Sequence, residues 1–202
     1  MIVPLFPLHA VLFPGGRLPL RIFEQRDMDM AKACLKSEEP FGVCLIAQGE
    51  EVAQRGGLAA EPHEIGTLAR IAEWDMPTLG VLEVVAEGGD RFRIRRRWVE
   101  ASGLLRAEVE PIPPPPVLPV PGPYARLVPL LRAVVADMEK GAPNAPAAPH
   151  RFFDAHWLGM RYAEVLPIPS LARQRLLELD DGIDRLEIIY RYLEGKGLLP
   201  DL

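Results

Sequence analysis

The chain has 202 residues, with 28 Asp+Glu against 23 Lys+Arg for a formal net charge of −5; it is 49% hydrophobic and 25% charged. Residues 1–122 carry 13 basic against 17 acidic side chains and residues 123–202 carry 10 against 11. Neither part has the overall basic balance of a nucleic-acid binder, and the length suits one large domain or two small ones. Proline is the outlier, at 22 residues, well above an ordinary share of about 5%.

The chain opens on "PLFPLHAVLFPGGRLPLRIFE", Pro4 to Glu24, an apolar stretch with prolines at 4, 7, 14 and 19. No basic residue precedes Arg17 and the prolines interrupt the apolar run, which argues against a secretory signal. The run is also far short of the roughly 20 apolar residues of a membrane span. We therefore expect a cytoplasmic protein that does not engage a membrane. Interleaved Leu5, Phe6, Leu8, Val11, Leu12 and Phe13 point instead to short extended pieces at a sheet edge, where missing N–H donors are tolerated.

Gln25 to Lys36 carries Met28, Ala31, Cys34 and Leu35 at helical spacing and predicts a helix. "FGVCLIA", 41–47, has the length of a buried strand. In "EIGTLARIAEWD" the residues Ile65, Thr67, Ala69 and Ile71 alternate onto one face, and Asp75-Met76-Pro77 predicts a turn before "LGVLEVVAEG". Gly88-Gly89-Asp90 predicts a hairpin into "RFRIRRRWVE", and "GLLRAEVE" supplies a further strand. Five to six strands with one inserted helix predict a small closed or half-closed β-barrel.

"PIPPPPVLPVPGP", Pro111 to Pro123, reads as an extended connector. Beyond it the period becomes 3.6, with Tyr124, Leu127, Leu131, Val134 and Met138 on one stripe and Pro129 near that helix's start. Helices are also expected over Phe152–Leu166, over Leu171–Leu179 with Ser170 as N-cap, and through Ile183, Leu186, Tyr190 and Leu193, with Gly195 and Gly197 as stops. The expected class is α+β: a β-barrel over 1–110, a proline-rich connector over 111–123 and a helical bundle over 124–202.

Chemistry-bearing constellations are sparse. Cys34 and Cys44 are the only cysteines and lack CxxC spacing, so both are expected as buried free thiols. Asp154 and His156 are two apart and point to different helix faces; His150 and Asp154 are four apart but have no third ligand nearby. Asp180-Asp181 before Gly182 reads as a helix boundary rather than a carboxylate pair. No cofactor and no metal are expected.

Two surfaces suit binding. Trp74 and Met76 stand at a hairpin tip where packing needs no aromatic, and Phe6, Phe13 and Phe23 are apolar candidates whose first reading is core. Arg93, Arg95 and Arg97, interleaved with aromatics in "RFRIRRRW", suit phosphate contact and base stacking. Their plainer reading is a solvated strand face paired with acids such as Glu83, Glu87, Glu100 and Glu108.

These segments resemble a specific family. "PLFPLHAVLFPGGRLPLRIFEQR" is similar to the start of the N-terminal, substrate-binding domain of the Lon ATP-dependent protease. "EIGTLARI" and "EGGDRFRI" resemble its G-T-x-A-x-I and G-x-x-R-F-x-I strands, and "LPIPSLARQRLLELDDGIDRLEIIYRYL" its helical Q-x-L-L-E…R-L stretch. The resemblance implies a PUA-like barrel. It also implies a non-enzymatic protein- or peptide-binding module, acting as an adaptor for unfolded or degron-bearing polypeptides, with a protease or chaperone as partner. The sequence departs from the full Lon pattern: it has no G-x-x-x-x-G-K-[ST] phosphate loop, and its serines (37, 102, 170) and lysines (32, 36, 140, 196) match no peptidase dyad. A stand-alone Lon-N-like protein is therefore expected. The alternative is an RNA-binding PUA-like module using the arginine strand 91–97.

Overall fold

The computed structural model describes residues 1–49 and 60–199. The chain forms two compact units divided between Pro114 and Pro115.

The first unit contains β1 (Ile2–Leu8), β2 (Arg17–Ile22), α1 (Gln25–Ser37), β3 (Phe41–Gln48), β4 (Glu61–Pro62), β5 (Ile65–Thr78), β6 (Val81–Val99) and β7 (Leu105–Ile112). They make one mixed seven-stranded sheet in the order β1-β7-β6-β5-β3-β4, with β2 on the flank of β6. β1 also pairs in parallel with β3, so the pairings return to their starting strand.

The placement of β1 corrects the edge reading of the opening prolines. Ile2–Pro4 pair with β7 and Leu5–Leu8 pair with β3, so β1 lies between two strands. Each flank is paired for only half the strand's length, which leaves Pro4 and Pro7 one open side apiece. Pro19 does sit on an edge, because β2 pairs only with β6 among the described residues. Gly15, at φ 71°, makes the reversal between β1 and β2.

Two predicted turns move. Gly88-Gly89-Asp90 is no hairpin, and β6 runs through it without a break. Its glycines serve a crossing: Gly15 N donates to Gly88 O at 2.6 Å and Gly88 N to Gly16 O at 2.9 Å, holding the Pro-Gly-Gly loop against mid-strand. The β5–β6 reversal falls at Leu79-Gly80, with Gly80 at φ 85°, and Asp75-Met76-Pro77 belongs to the strand.

Two apolar clusters fill this unit. Phe6, Leu8, Leu12, Ile22, Phe41, Leu82 and Val84 pack beneath α1 through Met28, Met30 and Ala31. Val3, Leu5, Cys44, Phe92, Ala107 and Val109 form the second. Both cysteines are free and buried, and burial pushes both thiols up from the ordinary range.

The second unit holds a single 3-10 turn (Gly122–Tyr124) and α2 (Leu127–Met138), α3 (Ala155–Val165), α4 (Ser170–Glu178) and α5 (Gly182–Gly195). Leu127, Leu131, Val135, Leu158, Tyr162, Leu186, Ile189 and Leu193 build its core. Pro129 lies in the first turn of α2, where its missing N–H costs nothing. Val135, rather than Val134, completes the buried stripe. Tyr162 Oη donates to Leu127 O at 2.6 Å and ties α3 to α2.

Helix starts follow the acids. Asp154 accepts from His156 N, and Asp181 accepts from Ile183 N and Asp184 N, which gives both residues a capping role. Ser170 is the first residue of α4 and Pro169 stands at its N-cap position.

Arg161, buried in α3, pairs with Glu164 at 2.8 Å. Burial raises the Glu164 carboxyl from 4.5 to about 7, outweighing the pull of Arg161 and Arg173. Between those values the folded chain holds a proton that the unfolded chain releases, so this group's stabilisation is full below pH 4.5 and lost as pH rises toward 7. Melting temperatures measured from pH 5 to 8 should fall across that window in the native chain. The fall should shrink in Glu164→Gln; an unchanged slope would contradict the assignment.

Candidate functional site: an exposed apolar arm

β2, β6 and β5 run side by side, with Leu20, Val84 and Trp74 as successive cross-strand partners. Toward the Leu79-Gly80 turn of this three-stranded arm β5 leaves the core, while Ile22 of β2 and Leu82 and Val84 of β6 stay buried in it. Residues 72–80 are exposed throughout, on both faces of β5. Partnered side chains share a sheet face. Trp74 therefore lies on the face of Val84, while Glu73 and Asp75 lie on the opposite face with Val85 and Glu83.

The end of the arm is apolar. Leu79 is 95% exposed, Trp74 61%, Phe23 59% and Met76 39%. Phe23 directly follows Ile22, whose partner Leu82 lies just past the turn, so the register brings all four residues to one end of the sheet. Large apolar side chains grouped in this way mark a contact surface more often than scattered ones do. Ion pairs stiffen the arm behind them: Arg21 meets Glu83 at 3.3 Å, and Arg17 reaches across β6 to Glu73.

Three of the five apolar candidates, Phe23, Trp74 and Met76, reach solvent. Phe6 and Phe13 do not. Phe6 is 8% exposed and packs on Phe41 with ring centroids 6.4 Å apart, and Phe13 is wholly buried. For Phe6 the reason is topological, because β1 is flanked by β7 and β3 and buries side chains on both faces; Phe13 lies in the loop between β1 and β2, where its carbonyl accepts from Gly16 N at 2.9 Å. Leu79 carries no turn signal of its own, because the turn-like residues Asp75-Met76-Pro77 stand just before the actual reversal at Leu79-Gly80.

The arginine strand is engaged. Arg93 lies 3.8 Å from Glu64, Arg97 lies 3.2 Å from Glu61, and Arg95 pairs with Glu110. The acids differ from those expected: Glu83 instead serves Arg21, and Glu100 serves Arg106. The pairs bridge β6 to its neighbours and to the β4 region. A polyanion would have to displace them.

Among the described residues no cluster of three His, Cys, Asp or Glu side chains could hold a metal. His150 contacts Glu139 at 2.8 Å, and Asp154 is spent on its helix cap. No described helix is long and apolar enough to cross a membrane.

Residues 2–195 match the ATP-dependent protease La (LON) substrate-binding domain. The chain belongs to that family. It is 27% identical to a Lon protease of Anaeromyxobacter dehalogenans over 96% of its length, and 29% identical to one of Paraburkholderia phytofirmans over 93%. It spans about a quarter of those relatives, 23% of each. Among solved structures, a Lon N-terminal domain protein from Xanthomonas campestris superposes with a TM-score of 0.75 at 32% identity, covering 95% of this chain and 98% of that one. The N-terminal domain of a Mycobacterium avium complex Lon protease shares the fold, with a TM-score of 0.60 at 17% identity. The matching region is thus a substrate-binding domain and not a protease or ATPase domain.

The family motifs gain physical content here. Gly66 of "EIGTLARI" packs where a side chain would strike Val43 O, Cys44 Sγ and Phe92 Cζ. Gln174 of α4 and Arg185 of α5, from the helical motif, are wholly buried, Arg185 packing along Gly159 of α3. These are fold-specifying residues.

Proposed function

We propose that this chain is a non-catalytic recognition module for unfolded or degron-bearing polypeptides, serving as an adaptor to a protease or chaperone. In this reading its first unit is a PUA-like half-closed barrel in the cytoplasm, joined through the proline-rich stretch to a helical bundle. The observation that carries it is the exposed cluster of Phe23, Trp74, Met76 and Leu79 on a chain of a substrate-binding family. Aromatic and methionine side chains give much apolar contact for little lost conformational freedom, and Met adapts to irregular partners. Unfolded clients expose matching groups, and the entropy of ordering them keeps affinity modest and release fast.

The RNA-binding alternative loses ground because Arg93, Arg95 and Arg97 each already meet a glutamate.

Changing Trp74 and Met76 together to serine should weaken binding to a permanently unfolded polypeptide about tenfold, since a few central side chains carry most of an interface. The melting temperature should stay within a degree or two, because substitutions at exposed sites cost little. Fluorescence anisotropy with a labelled, reduced and alkylated protein measures the first, and calorimetry the second. Unchanged binding would remove this surface from the reading.

A further inference from the structure

Beyond Ala69 no described strand pairs with the outer edge of β5. β3 pairs with β5 only through Thr67, Leu68 and Ala69 and begins at Phe41, immediately after Pro40. From Arg70 to Thr78 the inner flank of β5 is paired to β6, and no described strand takes the outer flank. A groove lined by Pro40, Leu68, Arg70, Ala72, Glu87 and Asp90 opens where the line of β3 would continue.

We infer that this edge receives one extended segment of a client polypeptide as an added antiparallel strand, in line with β3, and that it favours segments alternating apolar with basic residues. The inference rests on the client-binding reading above and specifies its mode.

An unpaired strand edge presents N–H and C=O groups that another extended backbone satisfies, whatever its sequence. The groove lets such a strand begin directly after Pro40. Register shifts between Ile71 and Glu73 and between Asp75 and Thr78 bound the regular stretch to Glu73–Asp75. The ladder is therefore short, and Trp74 and Met76 beside it supply the apolar contact.

Charge selects the occupant. Glu73 and Asp75 share one face of this stretch with Glu83, and Glu87 and Asp90 line the groove beside Arg70, whose Nη1 donates to Glu38 O; the acids still outnumber the bases. Arg17 and Arg21 engage Glu73 and Glu83, while Asp75, Glu87 and Asp90 have no ion pair among the described residues. Lysine or arginine at alternate client positions meets these carboxylates.

The same acids turn away a second copy of the chain. Antiparallel self-pairing centred on 73, 74 or 75 sets Glu73 against itself, Glu73 against Asp75, or Asp75 against itself. Each register opposes like charges, which destabilises a strand pair. Pro77, which lacks an N–H, shortens the edge further.

The test is calorimetric titration of the full chain with a synthetic peptide of about nine residues alternating isoleucine with lysine, long enough for one strand. Exchanging its lysines for glutamates should weaken binding about tenfold, or 1.4 kcal/mol. Backbone N-methylation separates a ladder from side-chain contact, because alternate amides of a strand face opposite flanks. Methylating one alternating set should cost about tenfold and methylating the other less than about twofold.

Equal tolerance of both methylated sets would overturn the added strand and leave client binding standing. Equal affinity for lysine and glutamate peptides would overturn the charge preference. Sedimentation showing a dimer that the peptide dissociates would give the edge to a second copy and overturn the assignment. Failure of this peptide and of an unfolded polypeptide alike would sink the client-binding reading itself.

Discussion

Gly66→Ala should cost the first unit on the order of 3 kcal/mol or more, the upper range for forcing a methyl into a filled core. A Cβ there would stand 2.5 Å from Val43 O, 2.6 Å from Cys44 Sγ and 2.7 Å from Phe92 Cζ. The nearest obstacle is the backbone of β3, which cannot retreat without breaking its own ladder. Gly42 provides the contrast, because its methyl would meet only side-chain ends, Leu5 Cδ2 and Phe92 Cζ, each at 2.7 Å. Phe92→Leu should therefore recover part of the loss in Gly42→Ala and little of that in Gly66→Ala. Urea unfolding of the four variants measures both differences; equal recovery would show that the β3 carbonyl yields.

Arg185→Met should cost the second unit about 3–5 kcal/mol, as expected when a buried, hydrogen-bonded charge is removed and its partners are stranded. Arg185 is wholly buried; its Nε donates to Leu176 O at 2.8 Å and its Nη2 to Leu179 O. Both carbonyls belong to the C-terminal turn of α4, which lacks intrahelical donors and carries partial negative charge. A methionine fills similar space but satisfies neither carbonyl. Arg185→Lys should recover less than half, since one ammonium cannot reproduce the planar fork. Loss of helical signal before loss of strand signal, followed by far-UV dichroism on heating, would locate the damage. An unchanged transition would mean that water substitutes for the guanidinium.

The sequence revealed some features because local chemistry decided them. The α1 stripe of Met28, Ala31 and Cys34, the cap at Asp181, and the change of period after the prolines are each set by residues within a turn or two. Others depended on partners far along the chain. Gly88-Gly89-Asp90 has turn composition, yet its glycines serve a loop some seventy residues earlier. Asp75-Met76-Pro77 also signals a turn, but proline is harmless on a flank that faces water. Phe6 was ambiguous because an apolar residue near an edge and one in a core look alike until β1 is seen between β7 and β3. Trp74 was legible for the opposite reason, since nothing around it in sequence called for an aromatic.

The divided pairing of β1 bears on how the chain comes off the ribosome. The amino group of Met1 donates to Val109 O at 2.9 Å, across a sequence separation of 108 residues. The Ile2–Pro4 half of β1 is thus paired only after the last strand of its unit has emerged, whereas Leu5–Leu8 can already pair with β3. Loop closure of that length is slow, so a nascent chain stalled before β7 would carry the apolar face of Val3 and Leu5 uncovered. For that interval the chain would itself present the uncovered apolar surface that makes partly folded chains prone to aggregate.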